Sequence, residues 1–311
     1  MKNILITGGA GYIGSKLITK LLDLNYNVTV VDALKFSSRS LNHLFGNKKF
    51  TFIKGDVRNL KLMKSLVKKN EFIIPLAALV GAPLCEKNKK EAIQVNLNSI
   101  KKLIGMLSKN NKIIYLTTNS GYGVGEKNKY CDEKSPLNPV SLYGRTKVDA
   151  EKIVMKFKSC IGFRLATVFG FSYRMRTDLL VNNFVFTAIK KKKLTIYEPH
   201  FRRNYIHVND VVDGIIYSIN NFNRLKSNVY NLGLSSANLT KYMLARKIKK
   251  KLKYLKVDII KNKKDPDQRD YFVSNKKIEK KGFKAKTTIE SGIDELVNIF
   301  TYTDEKIINN Y

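Results

Sequence analysis

The 311-residue sequence predicts an α/β protein with a doubly wound parallel sheet followed by a smaller C-terminal α/β lobe. Three observations lead there. Short β-branched runs alternate with amphipathic stretches through the first 170 residues, a glycine-rich turn follows the first run directly, and an acidic residue closes the second.

The runs at 2–7, 28–32, 50–54, 72–76, 113–117 and 161–165 are short, apolar and bounded by Gly, Asn or Asp, as expected of parallel strands buried on both faces. Between them, 12–24, 60–69, 87–107 and 141–158 carry apolar residues at helical spacing. In the third of these, Ile93, Leu97, Ile100, Ile104 and Leu107 form one stripe. Strand and helix repeated in this way imply right-handed crossovers. Beyond residue 170 the rhythm loosens. Helices are predicted at 179–190, 209–221, 240–252 and 289–302, and short strands at 194–197, 229–232 and 257–260. The predicted division is residues 1–170 and 171–311, with some of the second part crossing back to the sheet.

The chain carries 58 Lys and Arg against 25 Asp and Glu, a net charge of +33. So basic a chain suggests nucleic acid as a partner, but the excess is even: +18 over residues 1–170 and +15 over 171–311. With 47 Lys and 30 Asn, this pattern fits solvated surface rather than a nucleic-acid arm, and the lysine run at 190–193 fits a helix C-terminus. Cys85, Cys131 and Cys160 are far apart and form no CxxC pair, which argues against a disulfide scaffold or zinc site. The three His are dispersed, so no metal is expected. There is no signal-peptide pattern and no run of about 18 apolar residues. The expectation is a cytoplasmic protein without a membrane partner.

The turn Gly8-Gly9-Ala10-Gly11-Tyr12-Ile13-Gly14 ends a strand and opens a helix. Gly8 permits the tight turn, Gly11 lets backbone approach a pyrophosphate, and Gly14 allows close packing of helix on strand. The helix N-terminus offers N–H groups to the anion. Asp32, ending the second strand, can accept both ribose hydroxyls and would repel a 2′-phosphate. These residues predict a Rossmann fold binding NAD rather than NADP. Asp56, after the third strand, is placed either to meet the adenine edge or to close a strand-end turn.

Tyr143 and Lys147 stand one helical turn apart, but four Tyr-x-x-x-Lys pairs occur in the chain, at 12/16, 130/134, 143/147 and 302/306. Context selects among them. Only Tyr143 starts a helix after a loop with Pro136 and Pro139, and follows a strand ending in Thr117-Thr118-Asn119-Ser120-Gly121-Tyr122-Gly123.

These features, with Leu76-Ala77-Ala78 and Arg203-Asn204-Tyr205-Ile206-His207-Val208, resemble the extended short-chain dehydrogenase/reductase family and its nucleotide-sugar epimerases and dehydratases. Residues 163–170, 174–182, 200–212, 232–240 and 265–275 are most similar to its GDP-heptose 4-dehydrogenases. The resemblance implies catalysis by Thr118, Tyr143 and Lys147, in which Tyr143 as phenolate removes a sugar hydroxyl proton and Thr118 hydrogen-bonds the reacting oxygen. A free phenol, pKa about 10, is a poor base at neutral pH. Lys147 and the positively charged cofactor ring would lower it.

The resemblance adds cofactor contacts from Tyr12, Ile13, Val57, Leu76, Ala77, Ala78, Tyr143 and Lys147. It also adds Asn96, as a polar link to the active-site loop or a buried bridging residue. Arg203 and Arg269 correspond to the arginines that grip the nucleotide diphosphate. Arg174 and Arg176 either border the sugar or lie on the surface, and His207 reads as structural. Asn119 and Ser120 are expected near the substrate. They occupy the places of the dehydratases' Asp-Glu pair, which argues against water elimination. The expected reaction is C4 oxidation of a nucleotide-diphosphate sugar, GDP-linked first, with a 4-epimerase as the alternative. A homodimer through 87–107 and 141–158 is also expected.

Overall fold

A seven-stranded sheet organises the computed structural model, which describes residues 2–36, 39–126, 129–260 and 269–303. From one edge to the other its strands are Asn228–Leu232, Cys160–Leu165, Lys112–Thr118, Phe72–Pro75, Asn3–Thr7, Asn27–Asp32 and Phe50–Lys54. All six pairings are parallel. Residues at odd and even positions point to opposite faces, as a period of two requires. Ile4 and Ile6 pack into one apolar cluster and Leu5 into the other. Likewise Ile114 and Leu116 face one layer, and Ile113 and Tyr115 the other.

The order of strands reverses between Asn3–Thr7 and Phe72–Pro75, whose last residues, Thr7 and Pro75, are register partners. The chain leaves these two strands in opposite directions across the sheet, so their carboxyl ends open into a crevice, the usual ligand position in such sheets.

All six predicted strands of the first part are present. The predicted strand at 229–232 is the sheet's edge, Asn228–Leu232, paired with Cys160–Leu165. It is the segment that crosses back. The remaining strands build smaller sheets. Arg202–His207 lies between Thr167–Phe169 and Asn238–Thr240. Lys193–Tyr197 pairs with Lys256–Ile260, and Tyr130–Cys131 with Phe272–Val273.

The continuous helix predicted at 87–107 is divided. Ala82–Lys87 and Lys89–Ile93 are followed by one π-helical segment, Gln94–Asn98, and then by Ser99–Ile104. The wider π turn rotates the helix face on its N-terminal side relative to the face on its C-terminal side. Ile100 is therefore buried, whereas Ile93, predicted on the same stripe, is exposed (39%). The helix predicted at 141–158 is Leu142–Val154, with Ser141 as N-cap accepting from Gly144 N.

A buried ion pair sits under the sheet's carboxyl edge. Arg164 Nη2 meets Glu151 Oε1 at 2.7 Å, and Arg164 Nη1 donates to Tyr122 Oη at 3.1 Å. Both charged side chains are more than nine-tenths buried. Arg164→Leu would leave a carboxylate alone in the interior. The expected loss of stability is about 3–5 kcal/mol, checked by urea unfolding.

Candidate active site

At the crevice, main chain approaches main chain. Gly8 has φ +71°, and a Cβ there would lie 2.5 Å from Ala77 N. A Cβ on Gly14 would lie 2.6 Å from Gly9 O. Gly11 is the N-cap of the helix Tyr12–Asp23 and supplies no side-chain cap, so the first N–H groups of the helix face the opening above Gly11. Asp32 bounds the other side. Its Oδ2 accepts from Ala10 N (2.9 Å) and its Oδ1 from Leu34 N (2.8 Å). Burial raises its pKa above the ordinary carboxylate range, and the two amides partly offset this.

Gly8, Ala10, Gly11, Gly14 and Asp32 line a cleft of about 920 Å³ together with Tyr12, Ile13, Asp56, Val57, Leu76, Ala77 and Ala78. Main chain left bare by glycine, a helix N-terminus without a side-chain cap and a carboxylate across from it fit a dinucleotide, with its pyrophosphate on the helix and its ribose at Asp32. Tyr12 meets the cleft, although its hydroxyl is committed to Gly170 O at 2.7 Å. Asp56 lies at the cleft and also closes its own turn, where its Oδ1 accepts from Arg58 N at 2.8 Å. Both its oxygens accept from the Arg58 side chain, at 2.9 and 2.6 Å, which holds its pKa below the usual range.

Thr118, Tyr143 and Lys147 line the same cleft. Thr118 ends its strand, and its Oγ1 accepts from Ser120 N (3.1 Å) and lies 2.9 Å from Ser120 Oγ. Tyr143 and Lys147 project from Leu142–Val154. Burial pushes the Tyr143 hydroxyl up to about 12, with the Cys85 thiol adding to the rise and Arg269 and Arg176 opposing it. Burial brings the Lys147 ammonium down to about 7 against the pull of Glu151. Its Nζ stands 4.2 Å above the Tyr115 ring. Arg269 and Arg176 favour the charged form of Tyr143, two cations that the sequence reading did not assign to it.

Arg174, Arg176, Arg203 and Arg269 all reach the cleft. Arg174 and Arg176 are buried, so their surface alternative falls. Arg176 is paired with Asp178 through Nε (2.9 Å) and Nη2. Arg203 lies over the Tyr271 ring at 5.6 Å. His207 is structural: its Nε2 is 2.8 Å from Glu295 Oε2 and its Nδ1 accepts from Asn209 N.

Three expected contact residues do not line the cleft. Asn96 is buried in the π-helical segment, where its side chain accepts from Leu79 N (2.8 Å) and donates to Leu79 O (2.9 Å). It holds the loop after Pro75 and gives no surface to the cleft. Asn119 and Ser120 are buried in the 3-10 turn Asn119–Tyr122, which Thr118 caps, and the Ser120 hydroxyl is turned to that of Thr118. Sequence reasoning missed Lys35, Phe36, Asp178, Lys241 and Tyr271, which also line the cleft. Lys35 and Phe36 follow Asp32 closely enough to have been suspected. Lys241 had no such signal.

The model of the NAD dependent epimerase/dehydratase family matches residues 4–233. An uncharacterised UDP-glucose epimerase of Bacillus subtilis is 30% identical over 228 residues, covering 68% of this chain and 71% of that protein. A putative UDP-glucose 4-epimerase of Methanocaldococcus jannaschii is 25% identical, covering 95% and 97%. Among solved structures, the UDP-glucose 4-epimerase of Thermotoga maritima with UDP-glucose superposes with a TM-score of 0.84 at 24% identity, covering 97% and 100%. The dTDP-glucose 4,6-dehydratase of Bacillus anthracis in complex with NAD gives 0.84 at 23%, covering 98% of each chain. The chain belongs to the NAD dependent epimerase/dehydratase family, within the extended short-chain dehydrogenase/reductases, and is an NAD-dependent enzyme of that family.

Two outcomes are expected. Gly14→Ala forces helix and turn apart, so NAD affinity should fall at least about tenfold and stability by about 1–3 kcal/mol, measured by calorimetric titration and urea unfolding. Lys147 has a folded pKa of about 7, below its unfolded value near 10.5. The unfolded state therefore binds more protons between those values, and stability rises with pH across this window. In Lys147→Met that rise should be smaller, as unfolding midpoints at pH 7 and 9.5 would show.

Proposed function

We propose that this enzyme oxidises C4 of a nucleotide-linked sugar with NAD, and that GDP-D-glycero-α-D-manno-heptose is the first substrate to test. One observation carries the reading. A single cleft is lined by the glycine turn and Asp32, by Thr118, Tyr143 and Lys147, and by Arg203 and Arg269.

When bound, NAD supplies the hydride acceptor and a positively charged ring. The chain's own residues handle the proton. Thr118 Oγ1 would hydrogen-bond the sugar oxygen, and Tyr143 as phenolate would remove its proton. With its hydroxyl pushed up to about 12, Tyr143 needs cations near it, and Arg269, Arg176 and the protonated fraction of Lys147 provide them. Arg203 and Arg269 suit a diphosphate because a planar guanidinium donates to two oxygens at once. Asn119 and Ser120 bring no carboxyl group to the positions after Thr118, which supports oxidation over dehydration.

A 4-epimerase uses the same residues and returns the hydride to the opposite face. The names of the Bacillus and Methanocaldococcus relatives favour that second reading. In either case residues 1–170 would hold NAD and the catalytic groups, and 171–311 most of the nucleotide sugar. Exposed Ile93 and Val140, on and beside the two helical regions expected to pair, support a homodimer. The three buried free thiols suit a reducing cytoplasm.

Incubation with GDP-heptose and with other GDP- and UDP-sugars, followed by NMR, separates the two reactions. A ketone or its hydrate is expected, whereas an inverted hydroxyl identifies the epimerase. Tyr143→Phe should lower turnover about 10²- to 10⁴-fold with NAD affinity retained. Unchanged turnover would remove Tyr143 from the chemistry.

A further inference from the structure

Arg269 borders the cleft three residues before the strand Phe272–Val273, which pairs with Tyr130–Cys131. The next residue, Asp270, is held from two sides. Its Oδ1 accepts from Arg202 N (2.7 Å) and Arg202 Nε (2.9 Å), and its Oδ2 from Arg202 Nη2 (3.2 Å). Its main chain bridges the residues after the catalytic turn: Asp270 N donates to Gly123 O (3.3 Å), and Gly125 N donates to Asp270 O (2.8 Å). Tyr271 continues the connection. Its N–H donates to Arg202 O (3.2 Å), and its buried ring lies edge-on to Tyr122 at 6.1 Å while Arg203 stands over it at 5.6 Å. Tyr122 belongs to the 3-10 turn that Thr118 caps.

We infer that Asp270 is a positioning residue: the forked contact with Arg202 and the bridge to Gly123 and Gly125 fix Arg269 at the cleft beside the turn that carries Thr118. A fork fixes the plane of a guanidinium and hence the path of the chain that pairs with it, which a single point contact would not do. The inference deepens the nucleotide-sugar reading and rests on it, since the ligand positioned is a nucleoside diphosphate.

The test titrates GDP and UDP calorimetrically into the NAD-saturated full chain, using wild type, Asp270→Asn, Arg269→Ala and the double variant. Asp270→Asn should weaken the nucleotide that wild type binds at least about tenfold and leave NAD affinity within about twofold. In the Arg269→Ala background the same change should add less than about twofold, because a residue acting through another cannot be lost twice. Nucleotide affinity equal to wild type in Asp270→Asn overturns the inference, as does an undiminished penalty in the Arg269→Ala background. If Asp270→Asn does not fold, Arg202→Lys keeps the charge without the fork and should weaken nucleotide binding likewise; unchanged binding overturns the inference. A wild-type enzyme that binds neither nucleotide overturns the nucleotide-sugar reading and this inference together, whereas wild-type binding with unaffected variants overturns this inference alone.

Discussion

The cleft depends on main chain meeting main chain at the carboxyl edge of the sheet with no side chain between. Gly8 lies against the amide of Ala77, and Gly14 lies against Gly9. The first contact brings together the ends of two strands from which the chain departs in opposite directions. The second seats a helix so that its uncapped amides look into the resulting crevice. Asn96 secures the third side by taking both main-chain polar groups of Leu79, so the loop after Pro75 cannot drift into the space for the cofactor.

Burial then sets the electrostatics. It raises the Tyr143 hydroxyl and lowers the Lys147 ammonium, moving both toward the neutral form. A phenolate at Tyr143 would therefore depend on cations brought to it, and Arg269 and Arg176 oppose the rise. Of a net charge of +33, four guanidinium groups, those of Arg174, Arg176, Arg203 and Arg269, reach the cleft. The abundant lysines mostly cover the surface, as at the exposed helix end around residues 190–193.

Much of this was legible in the residue order. Parallel strands announce themselves as short apolar runs because both faces are buried, and the alternation of Ile4, Leu5 and Ile6 between two clusters follows from that. The glycine turn and Asp32 were legible because their roles depend on local backbone geometry. The break in the predicted helix at 87–107 was not. Helical spacing of Ile93, Leu97 and Ile100 looks continuous, yet Asn96 leaves the helical pattern for a loop some 17 residues earlier in the chain. For Asn119 and Ser120, adjacency to Thr118 suggested the cleft, but both are buried in the tight turn that Thr118 caps.

By itself, then, the sequence determined the sheet, the crossovers, the dinucleotide turn and the candidate base, since each is encoded by spacing within one or two neighbouring elements. Tertiary structure decided which charges act on that base. Arg176 and Arg269 are 93 residues apart in the chain, and both bear on Tyr143. It also decided that Asp270 would pair with Arg202 rather than remain solvated beside Arg269. Such pairings arise only when the fold closes, because the energy of a buried charge depends on what surrounds it in space and not on its neighbours in sequence.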